Sequence, residues 1–320
     1  MRGVTQAPPE APAQADPHEW LRGPHRVDVA FFAWLLDSQA DTQAPPGIRE
    51  SRALQRLDRL AAASSAHFTL LPRAAVVVPR LLSSLRDASN ASAQLAQYVS
   101  GDVTLVAETM RMANSPYYRR DEEAVIELRQ ALRLIGVSGL QSAIARCLLK
   151  PLIDGRSGKL TTRCAKRLWE HTEHKAQLCA AVARSEGLDP FEGYLAGLVH
   201  NAVWSALLRT MDGVAGEEDW RLSSPFVLAL ALRRDRLFET IAKQWKITDN
   251  LTRLASEVAQ RGLAAATSAP AKSLCVGDRL ASLLCARAEA HEVQEWLGRL
   301  DPPLLECYAD VRRTQSAVAA

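Results

Sequence analysis

The stretch YLAGLVHNAVWSALL, residues 194–208, is apolar on nearly every side when wound as a helix. A helix without a polar face is stable only where other elements surround it, so this segment must be the centre around which the rest of the chain packs. The remainder supplies the right partners. From residue 51 onward apolar positions recur at three- and four-residue steps, and strand-like alternation is nearly absent. The expected fold is all-α, and at 320 residues with 48% hydrophobic content the chain has enough apolar surface for a substantial core.

Residues 1–25 hold five prolines among Ala, Gln and Glu, a composition that cannot bury enough apolar surface to offset its ordering entropy; they read as a flexible tail. RVDVAFFAWLLDS at 26–38 follows as a short helix bearing Phe31, Phe32 and Trp34. Large exposed apolar patches are uncommon on monomers, which favours docking in a groove of its own chain over docking on another protein. QADTQAPPGIRE at 39–50 is a proline-containing link. Asn90 and Ser92 are placed to cap a helix ending at Gly101, expected in the left-handed conformation. Asp102 opens the next helix, whose stripe is Val103, Val106, Ala107, Met110 and Ala113 and which ends near Pro116. Val125, Leu128, Leu132 and Ile135 share a face of another helix closed by Gly136, and Ser138 starts its successor. The two glycines of DGRSGKLTT at 154–162 mark a hinge. It divides the main body, 51–260, into lobes of about 51–153 and 160–260, and 261–320 reads as a helical extension packed on the second lobe.

Within the apolar stretch stand His200 and Asn201. Left unpaired in a core, either would cost about 1–3 kcal/mol, so both need partners from other helices. Two polar candidates stand out: His171, which leans to the core on the stripe Leu168, His171, Lys175, Leu178, Val182, and Asp278 of CVGDRLA. His174 keeps company with Arg167, Glu170 and Gln177 and reads as solvated, not as a ligand. The four residues His171, His200, Asn201 and Asp278 describe either a satisfied core network or the remains of a metal site. A divalent ion is held by imidazoles and by carboxylates whose charge offsets its dehydration. Asn201 offers only a neutral oxygen, which leaves one anionic ligand and no general base nearby in sequence.

Other signals name no chemistry. A net charge of +3 is too small to mark a nucleic-acid or membrane surface. The helix-turn-helix proportions of ASAQLAQYVSGDVTLVAETMRMA meet a second helix beginning Asp102, Val103, Thr104, with Glu108 and a single Arg111, which argues against DNA readout. Arg233, Arg234 and Arg236, and Arg312 with Arg313, read as solvated faces. Six cysteines without CxxC spacing read as core residues of a reducing compartment, no leader is visible, and VAFFAWLL is too short to cross a bilayer; the expected location is cytoplasmic. Asn114, Ser115, Tyr117 and Tyr118 of MANSPYY, together with Trp204, are candidates for ligand or inter-lobe contacts, against a plain reading in which Asn114 ties down a helix end.

LWEHTEHKAQLCAAVA followed by YLAGLVHNAVWSALL resembles the HD superfamily of metal-dependent phosphohydrolases, whose ligands are a His, a His-Asp pair and a distant Asp. His171, His200 and Asp278 fall on matching positions. Asn201 stands where the enzymes carry Asp, and Val203-Trp204 where Gly-Lys commonly follows. TLLPRAAVVVPRLL, ASAQLAQYVSGDVTLVAETMRMANSPYY, AVIELRQALRLIGVSGLQSAIARCLL and AKQWKI are similar to successive parts of the HDOD domain, the HD-related output domain of bacterial signalling proteins. The resemblance implies a helical regulatory module without hydrolase activity or cofactor, whose partner is a signalling protein or small regulatory ligand. The alternative is a phosphohydrolase or cyclic-nucleotide phosphodiesterase with an atypical metal site.

Overall fold

The computed structural model describes residues 26–40, 43–62, 96–97, 99–115, 118, 123–153, 158–214, 220–286, 297–298 and 300–319. The proline-rich tail, the caps at Asn90 and Ser92, Pro116, Tyr117 and the first part of the expected hinge lie outside these residues. Among the described residues the secondary structure is entirely helical: α1 (Arg26–Leu36), α2 (Ile48–Ala62), α3 (Val103–Ala113), α4 (Leu128–Ile153), α5 (Lys159–Ser185), α6 (Pro190–Asp212), α7 (Ser224–Trp245), α8 (Asp249–Arg261), α9 (Ala269–Ala286) and α10 (Pro302–Ala319), with a 3-10 turn at Leu263–Ala265.

α6 is the buried axis that its sequence demands: from Tyr194 to Leu208 every residue is buried. It lies along α5, which is covered on its other sides by α9, α10 and α1. Small residues set the closeness of these contacts. A Cβ added to Gly197 of α6 would stand 2.9 Å from the Cα of Ala176, and one on Gly277 of α9 would stand 2.8 Å from the backbone nitrogen of Cys179. Both distances are too short for a real side chain, so α5 is clasped between two neighbours whose backbones come nearly to touch it. That approach brings the polar side chains of three helices to one point.

α5 begins without a cap of its own, since Gly158 carries no side chain; Asp212 at the far end of α6 accepts from the backbone N–H of Leu160 (2.7 Å) and Thr161 (2.9 Å). A carboxylate there satisfies donors the helix leaves open and complements its dipole. The second part of DGRSGKLTT is therefore the fastened first turn of α5. Similarly, buried Glu50 of α2 accepts from the backbone N–H (3.0 Å) and hydroxyl (2.7 Å) of Ser223, ahead of α7.

Some local expectations are corrected. Gly101 is not left-handed; positive φ occurs at Gly136, Gly187 and Gly262 among the described glycines. Gly136, at φ 64 and ψ −170, breaks α4 internally, so the two helices read from sequence meet at a kink. Val125 precedes α4 instead of joining it: its N–H donates to Asn114 Oδ1 and its carbonyl accepts from Asn114 Nδ2, both at 2.8 Å. Length and composition would let α4 span a membrane, where the sequence pointed only to the shorter VAFFAWLL; 56% of its apolar window is buried in the core.

Candidate functional site

The residues singled out in sequence meet, but through an intermediary. His171 and Asn201 are in contact, the ring Nδ1–H donating to Asn201 Oδ1 at 3.2 Å, while Nε2 accepts from the Ser282 hydroxyl at 3.0 Å. Asn201 Nδ2 donates to Thr172 Oγ1 at 2.7 Å, and that hydroxyl donates to Leu168 O. Asp278 meets this group through Lys175. The lysine ammonium lies 2.6 Å from Asp278 Oδ1, 2.5 Å from His200 Nδ1 and 3.5 Å from Asn201 Oδ1. His200 then donates from Nε2 to Asp235 Oδ1 at 3.3 Å.

Arg234 completes the set. Its guanidinium pairs with Asp235 (2.9 Å) and with Asp278 Oδ2 (3.3 Å), and Asp235 Oδ2 also accepts from the N–H of Leu263 at 2.8 Å. The sequence placed Arg234 on a solvated face with Arg233 and Arg236; instead it is buried, because α7 packs against α6 and α1 and this side of it reaches Asp278 of α9. Arg233 does face outward, onto Asp58 at 2.6 Å.

Two cations, Lys175 and Arg234, thus oppose two anions, Asp235 and Asp278, and the four are at most 4% exposed. Burial at this depth is tolerable only for matched charges with further hydrogen bonds. Burial alone would push the Asp278 carboxyl up, but the adjoining Lys175 and Arg234 overcome it and hold it well below the usual range. Burial pulls the Lys175 ammonium down, with Asp278 opposing. Burial and the neighbouring cations take His200 down to about 3, and burial, with Lys175 adding to it, takes His171 to about 3 as well. Both rings are therefore neutral, with their tautomers fixed by the bonds above.

Aromatic groups close the site. The Phe31 ring of α1 lies 4.2 Å from the His171 ring and 5.9 Å from Trp204, Phe32 meets Trp204 edge-on at 4.8 Å, and Arg234 stands over the Trp204 ring at 5.1 Å. Asp28 of the same helix pairs with Arg279 of α9 at 2.8 Å. The docking helix therefore seats on its own chain, with its phenyl ring directly over the first histidine. Trp204 Nε1–H is buried without a hydrogen-bond partner among the described residues.

The donor set does not fit a divalent ion. The position common to His200, Asn201 and Asp278 is taken by an ammonium, the one carboxylate there is shared between Lys175 and Arg234, and Phe31 shields His171. Lys175 was legible as a lysine on an otherwise apolar stripe, one turn after His171. Asp235, Arg234, Thr172 and Ser282 carried no such signal.

The MANSPYY residues sit elsewhere. Asn114 spends its side chain on the backbone of Met110 and Val125, and Ser115 donates to Met112 O. Ser115 and Tyr118 line a crevice between α3, α4, α5 and α6 with room of about 40 Å³, enough for a water molecule or so and no larger ligand. Beside it an ion network joins α3 and α4 to α5: Arg146 of α4 pairs with Glu108 of α3 and Glu173 of α5, and Arg111 reaches both glutamates (2.7 and 3.5 Å). A larger cavity, about 440 Å³, opens between α5, α6, α8 and α9, walled by Leu188, Ala196, Leu251, Leu254 and Leu274.

Among solved structures the chain is similar to an HDOD domain protein of unknown function from Geobacter sulfurreducens, at 17% identity and TM-score 0.48, covering 84% of this chain and 95% of that one. It is also similar to a protein from Shewanella amazonensis SB2B named provisionally as a metal-dependent phosphohydrolase, at 14% identity and TM-score 0.42, covering 90% and 98%. No curated protein matches. The family model for the HDOD domain matches residues 71–260, more than half of the chain and the span that holds His171, Lys175, His200 and Asn201, and the chain belongs to the HDOD domain family.

Proposed function

We propose that this protein is a regulatory HDOD module that works by recognition and not by hydrolysis, engaging a signalling protein or a small regulatory ligand. The observation that carries the reading is the ammonium of Lys175, held 2.6 Å from Asp278 and 2.5 Å from His200. The charge count explains why it is stable. One ammonium against one carboxylate balances as a divalent cation would against two, so Asn201 in place of a carboxylate and Lys175 in place of an ion are two halves of one change. Water has no route to activation there, since both imidazoles are poor bases, spend both ring nitrogens on hydrogen bonds and are covered, His171 by Phe31 and His200 by Phe238. What remains useful is a rigid helical body whose crevice between α3 and α5 and whose α1 contact respond to a partner, shifting the population of their arrangements.

The test is to restore what the sequence changed. Elemental analysis is expected to find no Mn, Fe or Zn whose content falls on His200→Ala, and the wild-type protein is expected not to hydrolyse phosphomonoesters or cyclic nucleotides. The double variant Lys175→Ala, Asn201→Asp is expected to gain a divalent ion, because it regains the second carboxylate and loses the competing charge. A wild-type protein that holds one ion and hydrolyses a phosphoester, both lost in His200→Ala, overturns the proposal.

A further inference from the structure

His174 is not solvated, as its neighbours in sequence suggested. It is 6% exposed, because α9 and α10 cover that side of α5. Its Nδ1 lies 3.5 Å from the sulfur of Cys285, a fully buried residue on α9. Glu170, one turn before His174 on the same face of α5, brings a carboxylate oxygen to the pair, and the three ligand atoms lie within 4.8 Å of one another. The residue types are those of a zinc site, and the spacing of His174 and Cys285 agrees. With Zn–N of about 2.0–2.1 Å and Zn–S of about 2.3 Å, two ligands at a tetrahedral angle stand about 3.5 Å apart. Glu170 is half-buried.

We propose that Glu170, His174 and Cys285 form a binding site for a zinc-class divalent cation, a donor set that shares no residue with the Lys175 centre. A thiolate with an imidazole selects a borderline-soft ion over Mg²⁺ or Ca²⁺. Burial and the nearby Glu170 carboxylate hold the Cys285 thiol protonated when no cation is present, so the ion must displace that proton to solvent. Thiolate and carboxylate then neutralise the divalent charge. This ion would pin α5 to α9 beside α10, which also packs on α5.

Titration of the chelator-treated full chain with Co²⁺ reads the site directly. One equivalent is expected to produce a near-ultraviolet thiolate-to-cobalt charge-transfer band, displaced by Zn²⁺, lost in Cys285→Ser and kept in Cys147→Ser. Zinc is also expected to raise the unfolding temperature of the wild type and not of Cys285→Ser. Absence of the band, or its survival in Cys285→Ser, overturns the site. Should circular dichroism show that Cys285→Ser does not fold, X-ray absorption of the zinc-loaded wild type decides: one sulfur with nitrogen and oxygen neighbours supports the site, and any other shell rejects it.

Discussion

Among the described residues, two four-charge clusters have the same composition, two cations against two anions, in different settings. Lys175, Arg234, Asp235 and Asp278 lie in the core, and Arg111, Arg146, Glu108 and Glu173 lie where α3 and α4 meet α5. In the first, side-chain exposure is at most 5%; in the second it rises to 22% for Glu173 and 42% for Arg111. Water can replace a lost partner in the second cluster and cannot in the first. The same charge pattern is thus an adjustable clasp between α3, α4 and α5 in one place and an obligatory knot in the other.

The largest expected difference follows from removing one charge from each. Lys175→Met strands part of Asp278 in the core and should cost about 3–5 kcal/mol, read as a fall in the urea midpoint. Adding Asp278→Asn should recover part of that loss, because the uncompensated carboxylate goes with it. A double variant no more stable than Lys175→Met would show that packing, not charge matching, holds the centre.

Acid should next separate the clusters. His171 and His200 are held near 3 in the folded protein against an ordinary 6.5. Below about 6.5 the unfolded chain takes up protons that the folded chain refuses, so stability is complete above that value and is lost as pH falls toward 3. Each ring contributes a slope of up to about 1.4 kcal/mol per pH unit. Denaturation midpoints between pH 7 and 4.5 measure it, and a flat profile would mean that the rings are protonated in the core. The cluster between α3, α4 and α5 has no histidine among its members and adds no such slope.

The smallest effect is expected at that outer cluster. Glu108→Gln removes one partly exposed partner of Arg146 and Arg111 and should cost about 1 kcal/mol or less, reduced further by salt. A loss as large as that of Lys175→Met would erase the distinction.

The site was half legible because its members announce themselves differently. His200 and Asn201 interrupt an apolar run, and His171 and Lys175 share a stripe with leucines, so their burial follows from periodicity. Arg234 and Asp235 stand among Arg233 and Arg236 in a run that looks solvated, and their roles depend on which side of α7 meets α9. His174 was misread for the same reason: its helical face is polar in sequence, and only the arrival of α9 and α10 turns that face inward.

Sequence alone determined that the chain is helical, that 194–208 is its buried axis, that His200 and Asn201 require partners, and that the candidate cluster of His171, His200, Asn201 and Asp278 offers a single carboxylate. These are consequences of side-chain period and charge count, which are local. The tertiary structure decided that an ammonium occupies the centre, that Phe31 seals it, and that His174 meets Cys285. Those outcomes depend on which helices approach from a third direction, and the glycines at 197 and 277 set how near they come.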